Sequence, residues 1–576
     1  MYNITFRIEG GEDVTIFAVG GESVLELARK AGVSVDAPCS GNGTCGKCRV
    51  RLLEARQGKS PYALPEGTHS RHLSEAETAN GWRLACQTKI TGDTVITVPC
   101  VAANYISNIT TGVFIDRDKS SVHFGLAIDI GTTTVSALLV DMATGDILAK
   151  ATTGNAQIRY GADVINRIIE QQKPGGIKKL QDAIVQDTLL PLIDDLCAAT
   201  GVKHDEIVRL TVAANTTMNH LFLGVDANSI RIEPYEPAFL EFEAYDPAGI
   251  GINVSPDAKL LLAPNIGSYV GGDITAGISV AAPPSGQPMW NFPEMSRIVP
   301  GADGEVAFES IEAPPRMTLF IDLGTNGEIV FGNNEFIMAC ACSAGPAFEG
   351  GDISCGMRAT TGAIEACTID GETMEPGFSV IGGGKPAGLC GSGLIDAVAE
   401  LYRTGIINGK GKLSREGERI RRDGYGTGSY VLAHASDSAT GKDIIITEVD
   451  IDNFIRAKGA IFSGIMSLLD PLGLTPSDID DVLIAGGIGS GINIKNAICI
   501  GMLPDLPEEK YSFIGNSSLN GAYMMLIVPE GDEVINGIAG NMTYIELSTQ
   551  PGYMDEFIAA CFIPHTDETL FPSVKQ

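Results

Sequence analysis

Apolar and polar positions alternate over residues 3–9 and 13–18, the period of a strand with one buried face. Residues 23–31 switch to helical spacing, and 47–54 return to a strand. Residues 1–98 therefore read as one small domain of short strands and a helix, and 99–122 as a mixed linker. Beyond it, buried strand runs alternate with helices, which predicts an α/β body. Residues 126–141 (LAIDIGTTTVSALLVD) read as two strands around a turn. Val164, Ile165, Ile168 and Ile169 fall at helical spacing, and Ile177, Leu180 and Ile184 continue a second helix. Further helices are expected over 394–403, ended by Gly405, and over 451–469 with Asp450 as N-cap. Residues 281–313, rich in Pro and Gly, read as a surface insertion, and 415–422 (REGERIRR) as a solvated face. The expected division is 1–98, a linker over 99–122, a middle domain over 123–206 and a C-terminal domain over 207–576.

Composition narrows the function. The 576 residues are 44% hydrophobic and 19% charged, which excludes a mainly disordered chain. Asp and Glu number 71 against 40 Lys and Arg, a net charge of -31. Such a surface argues against nucleic-acid binding, which depends on Lys and Arg neutralising phosphates. It predicts a protein partner with a basic docking patch. No apolar run reaches membrane-spanning length, and the opening residues pattern as a strand rather than a leader, so a cytoplasmic protein without membrane association is expected. The 13 cysteines fit metal ligation or buried thiols better than a disulfide framework.

Cys39, Cys45 and Cys48 lie within ten residues, interleaved with Gly41, Gly43 and Gly46, and Cys86 follows 38 positions after Cys48. Glycines allow the positive-φ turns that aim backbone N–H groups at an inorganic core, and thiolates are the ligands of iron–sulfur clusters. Zinc would call for paired CxxC knuckles, and only one CxxC is present. The five-residue first gap is longer than the plant-type spacing and resembles the 2Fe–2S ferredoxins of the adrenodoxin and putidaredoxin type. Cys340, Cys342, Cys355, Cys367 and Cys390 contain no CxxC and read as buried thiols rather than a second cluster.

Residues 126–141 and 319–332 share a design: an apolar strand, an Asp, a Gly two positions on, hydroxyl or amide residues, then a second strand. Such turns present N–H groups and hydroxyls to phosphate, here with Thr132, Thr133, Gly324, Thr325 and Asn326. Asp129 and Asp322 are candidates for a hydrated Mg²⁺, which takes carboxylates, waters and substrate phosphates. A third element, VLIAGGIGSGI from Val482, opens a buried strand into a turn where Gly486, Gly487, Ile488 and Gly489 would accept an adenosine. Asp273, in a GGD turn, is a candidate second catalytic or metal carboxylate. His220 and His565 read equally well as structural or functional.

The three elements, in this order, resemble the superfamily of acetate and sugar kinases, heat-shock chaperones and actin. Joined to the cysteine loop, and with GADVINRI (161–168), AANTTMNHLFLG (213–224), GSYVGGDITAGI (267–278), CSAGPAFEGGDISCGM (342–357), LCGSGLIDAVAEL (389–401) and FIPHTDETLFPSV (562–574), nearly the whole chain resembles the reductive activators of corrinoid proteins. The resemblance implies a β-grasp, ferredoxin-like α+β domain followed by duplicated actin-like, ribonuclease-H-like lobes. It also implies a 2Fe–2S cluster, ATP and Mg²⁺ as cofactors, and an ATP-driven return of a partner's Co(II) corrinoid to Co(I) in anaerobic metabolism. A low-potential electron donor and a homodimer are implied as well. Ser392, in the CGSG loop, is a small hydroxyl that would approach the corrinoid, a helix cap or nucleotide-loop role being the alternative. A kinase with an appended ferredoxin and a nucleotide-regulated electron-transfer module remain the competing readings.

Overall fold

A computed structural model describes the chain apart from residues 9–12, 32, 34, 36, 38–47, 53–60, 64–72, 74, 100–109, 112–122, 282–296, 301–305, 310–315, 325, 488–490 and 575–576. Two units emerge: one of residues 1–210, 217–238 and 244–260, the other of 211–216, 239–243 and 261–576.

The first unit opens with a five-stranded sheet in the order Val14–Ala18, Tyr2–Ile8, Thr94–Val98, Arg49–Leu52, Trp82–Leu84. Tyr2–Ile8 pairs antiparallel with Val14–Ala18 and parallel with Thr94–Val98. Helix Val24–Lys30 starts on a reciprocal capping box between Ser23 and Glu26 and buries Val24, Leu25, Leu27 and Ala28. These join Ile4, Phe6, Val50 and Ile96 in a core of their own. A fully buried aliphatic or aromatic side chain contributes about 1.5–3 kcal/mol, so this small domain has a stabilising core of its own.

Two six-stranded sheets of the same order follow, beside smaller sheets of two and three strands. The first has the order Lys259–Leu262, Ile207–Ala214, Phe124–Ile130, Thr134–Asp141, Ile147–Gly154, with Thr110–Thr111 at the edge. The second has the order Tyr511–Gly515, Asp481–Ala485, Thr318–Leu323, Gly327–Gly332, Ile337–Cys342, with Met542–Tyr544 at the edge. Numbered by appearance in the chain, both put the fifth strand beside the fourth, then the first, second and third. This is the duplicated actin-like fold. The near-continuous burial of Phe124–Ile130 and Gly327–Gly332 shows sheets covered on both faces. The long helix Glu448–Leu469 packs Phe454, Ile461, Phe462 and Ile465 into the core of the second unit.

Several helix starts differ from expectation for identifiable reasons. The long helix begins at Glu448 and its N-cap is Thr447; Asp450 is the third residue of a reciprocal box, its side chain returning to the Thr447 N–H. The helix expected over 394–403 begins at Gly391. Gly391 and Gly393 are helical because the helix lies on backbone: a Cβ would stand 2.1 Å from Phe348 O and 2.1 Å from Ile364 O respectively. The 415–422 cluster is not all solvated, since Arg415 donates to Gly371 O and Thr404 O, and Arg419 pairs with Glu375. Within the 281–313 stretch the described residues include one short antiparallel pair, Arg297–Pro300 with Val306–Glu309. No helix among the described residues is long and apolar enough to cross a membrane.

Candidate functional site

In the ferredoxin-like domain the register places the thiols. Arg49 pairs with Leu84, so the residue before Arg49 and the residues after Leu84 lie side by side. Ala85 N–H donates to Cys48 O at 2.7 Å, and Cys48 Sγ stands 3.3 Å from Cys86 Sγ. A disulfide would require about 2.05 Å, so the two are not cross-linked to each other; Cys48 is buried and Cys86 half-buried. Two thiols converging from the ends of separate strands fit one edge of a metal–sulfur core. Cys39 and Cys45 lie outside the described residues. Arg83, on the strand that leads to Cys86, donates to Tyr62 Oη at 2.7 Å and Thr78 O at 2.7 Å.

The first candidate phosphate hairpin belongs to the first unit. Asp129, half-buried, pairs across the strands with Ser136. Gly131 N–H donates to Thr134 O at 3.0 Å, and a Cβ at Gly131 would lie 2.6 Å from that oxygen, so the turn needs glycine. The turn is held by two residues that sequence reasoning missed. Asn155 donates to Gly131 O at 3.0 Å and its N–H to Thr133 O at 2.9 Å. The fully buried Arg167 bonds Thr132 O, Gly161 O and Gln157. Only the GADVINRI motif hinted at this arginine, and nothing in its spacing reveals that it reaches 35 residues back.

The second hairpin belongs to the second unit. Gly324 N–H donates to Asn326 O at 3.0 Å; Thr325 lies outside the described residues. Asp322 pairs with Glu328 across the antiparallel strands, so the two carboxylates emerge on one face. Glu328 is the missed residue here. It is buried, and burial, then the charges of Asp273 and Asp322, push its carboxyl well above the usual range. Asp273, half-buried in the first turn of helix Gly272–Ser279, thus belongs to the same neighbourhood. Gly271 and Gly272 bring that helix onto Thr216 N and Ala263 O, where a Cβ would come within 2.3 Å of each. Among the described residues no three His, Cys, Asp or Glu side chains converge closely enough to hold a metal ion. Paired carboxylates without a closed cage fit Mg²⁺, which keeps several waters and completes its octahedron with phosphates.

The candidate adenosine element adjoins this hairpin. Asp481–Ala485 runs parallel to Thr318–Leu323 with Ala485 opposite Asp322. Gly486 then turns at φ +90, and a Cβ there would lie 2.6 Å from Asp322 Oδ1 and 2.5 Å from Leu323 O. Gly487 is exposed; Ile488 and Gly489 lie outside the described residues. Ser392 donates to Glu365 O at 2.8 Å, and a Cβ at Gly491 would stand 3.5 Å from its Oγ, which places it beside the chain leaving this loop.

Of the five cysteines from Cys340 to Cys390, Cys340, Cys342, Cys367 and Cys390 are buried and Cys355 is half-buried. Cys340, Cys342 and Cys390 each donate to a backbone carbonyl, of Gly464, Gly327 and Ile364. Burial pushes Cys367 up to about 12. The fully buried His220 accepts from Ala238 N–H at 3.1 Å, and His565 accepts from Asp567 N–H at 3.0 Å while facing Glu556. Both imidazoles hold loops.

Three family profiles match the chain: a 2Fe–2S iron–sulfur cluster binding domain over residues 7–91, the RACo middle region over 124–282, and the C-terminal ASKHA domain of RACo over 316–575. Among solved structures, a reductive activator for corrinoid, iron–sulfur protein is 36% identical, with 100% of both chains covered and a TM-score of 0.67. The corrinoid activation enzyme RamQ of Eubacterium limosum is 27% identical over 93% of this chain and 95% of its own. The Co(II) methylated amine-specific corrinoid protein reductase of Methanosarcina barkeri is 23% identical over 69% of this chain and 68% of its own. Converging cysteine thiols in a ferredoxin-like domain, a sheet order repeated in a duplicated fold, and likeness over the full length lead to one conclusion: the chain belongs to the family of reductive activators of corrinoid proteins.

Proposed function

We propose that this protein is an ATP-hydrolysing reductase that returns the Co(II) corrinoid of a partner protein to Co(I). The observation that carries the reading is the pairing, in one chain, of the Cys48–Cys86 thiol edge with the Asp322–Gly486 juncture of hairpin and loop. Cys39, Cys45, Cys48 and Cys86 would hold a 2Fe–2S cluster. When bound, such a cluster supplies a one-electron carrier, near about -400 mV in plant-type centres. Thr132, Thr133, Gly324, Thr325 and Asn326 would bind phosphates, and the loop from Gly486 to Gly489 the adenosine. Asp129 in the first unit and Asp322 in the second would each orient Mg²⁺ and water; near Asp322, Asp273 would add negative charge, while Glu328, whose carboxyl burial pushes up, would favour its protonated form. Ser392, beside Gly491, is the hydroxyl that would bring a docked corrinoid and the nucleotide loop together.

The energy scale fits. A one-electron gap of about 200 mV corresponds to about 4.6 kcal/mol. A ligand that shifts a two-state protein from 1:99 to 99:1 supplies about 5.5 kcal/mol. Nucleotide held more tightly in one conformation than in another is therefore enough to favour an otherwise uphill reduction. The working unit is a cytoplasmic homodimer fed by a low-potential donor.

The test is anaerobic. Reduced protein, ATP and a Co(II) corrinoid protein are mixed and the Co(I) absorption band is followed. Asp322→Asn is expected to lower the ATP-dependent rate at least about 100-fold while leaving the iron content unchanged. Full corrinoid reduction by that variant would overturn the coupling. ATP turnover stimulated by a small phosphoryl acceptor but by no corrinoid protein would favour a kinase.

A further inference from the structure

Behind the proposed adenosine loop lies a buried polar set that the chemistry above does not use. Helix Ile494–Cys499 follows the loop, capped by Asn493. Asn496 in its first turn is buried, and it stands between two side chains of helix Gly391–Arg403. Its Nδ2 donates to Asp396 Oδ1 at 2.6 Å, and its Oδ1 accepts from Arg403 at 2.8 Å. A carboxylate only accepts and a guanidinium only donates, so the amide between them has one possible orientation. Asp396, also buried, takes the Cys367 N–H on its other oxygen at 3.3 Å.

That last bond is one rung of a ladder. Ser392 donates to Glu365 O, Asp396 accepts from Cys367 N–H, and Glu400 accepts from Ile369 N–H. Steps of four along a helix advance about 6 Å; steps of two along a strand advance about 6.6 Å. The rungs stay in register, and helix Gly391–Arg403 is pinned to strand Ala363–Ile369. Asn496 hangs the helix after the loop on this rigid frame. A hydrophobic contact there would hold the helix without fixing its rotation or height, whereas a directional buried pair fixes both.

We propose that Asp396 and Asn496 are positioning residues for the nucleotide: they set the height and rotation of the helix that follows Gly486 and Gly487, and so set how tightly the loop holds adenosine. The inference rests on the loop being the adenosine site.

The experiment is titration calorimetry of ADP with Mg²⁺ into the full-length, cluster-loaded protein, with ATP-dependent turnover and melting temperature measured alongside. Asp396→Asn sets two amide groups against each other, and Asn496→Asp sets two carboxylates against each other. Each is expected to weaken ADP binding about tenfold with turnover at saturating ATP unchanged. The exchange Asp396→Asn with Asn496→Asp restores every donor and acceptor, including those to Cys367 N–H and Arg403, and should return affinity to within about threefold of the parent. Arg403→Met, at a partly exposed side chain, removes the bond to Asn496 Oδ1 and the ion pair with Glu400 while leaving the three rungs, and should weaken binding about threefold, which decides the matter if a single variant does not fold. Undiminished affinity in Asp396→Asn or Arg403→Met overturns the proposal. So does an exchange variant that regains its melting temperature but not its affinity. Gly486→Val keeps the two ideas apart: if it binds ADP as the parent does, the loop assignment itself falls.

Discussion

Cys48 and Lys458 show how one side chain's surroundings decide its chemistry. Cys48 has another thiol 3.3 Å away and a strand register that keeps it there. Cys48→Ser should abolish the visible absorption and the reduced-state EPR signal of a 2Fe–2S centre while leaving ATP binding intact; a normal cluster spectrum in that variant would remove Cys48 from the ligand set. Lys458 is fully buried in the long helix, with its ammonium directed at the carbonyls of Phe562, Pro564 and Gly501. Burial lowers it from an ordinary 10.5 to about 7. The unfolded chain then holds a proton that the folded chain has lost between those two values. Stability contributed by this site must rise with pH across roughly pH 7 to 10, by at most about 1.4 kcal/mol per pH unit, and be flat below. Lys458→Met removes that slope. Melts of parent and variant from pH 6 to 9.5 should show the parent gaining on the variant only above about pH 7; parallel curves would contradict it.

At the scale of elements, glycine decides which backbones touch. A Cβ at Gly393 would stand 2.1 Å from Ile364 O, so the helix carrying Ser392, Asp396 and Glu400 sits directly on its strand. Gly393→Ala should cost about 3 kcal/mol or more, at or above the upper range for overpacking, because backbone rather than a side chain must move. Denaturant unfolding would measure it, and a loss under 1 kcal/mol would show that the helix can lift away without penalty. The same contact explains why sequence reasoning started this helix three residues late: glycines near a turn read as loop until something is seen to lie against them. The long helix's cap was misplaced for a related reason. Thr447 and Asp450 both look like N-caps, and the reciprocal box shows that each serves, one as cap and one as its partner.

For the whole molecule the dominant quantity is charge. A net charge of -31 makes association with a basic docking face fast and dependent on ionic strength. With a Debye length of about 10 Å at 0.1 M salt and about 3 Å at 1 M, affinity for a corrinoid protein should fall at least about tenfold between 50 and 500 mM salt. Biosensor titrations across that range would check it, and a constant affinity would mean that the interface is not electrostatic.

Much of this protein could be read from its residues alone, because the decisive chemistry is local in the chain. The cysteine loop spans ten residues, and each candidate phosphate hairpin is a strand, a turn and a strand in unbroken succession. Turn geometry and ligand chemistry act over such distances, so spacing is enough to suggest them. What only the tertiary structure decided are the partners brought together by register and packing: Glu328 opposite Asp322, Arg167 behind Thr132, Asp396 against Asn496 from 100 residues away. Strand pairing and helix contact set those meetings, and they follow from how whole surfaces bury one another rather than from any short run of letters.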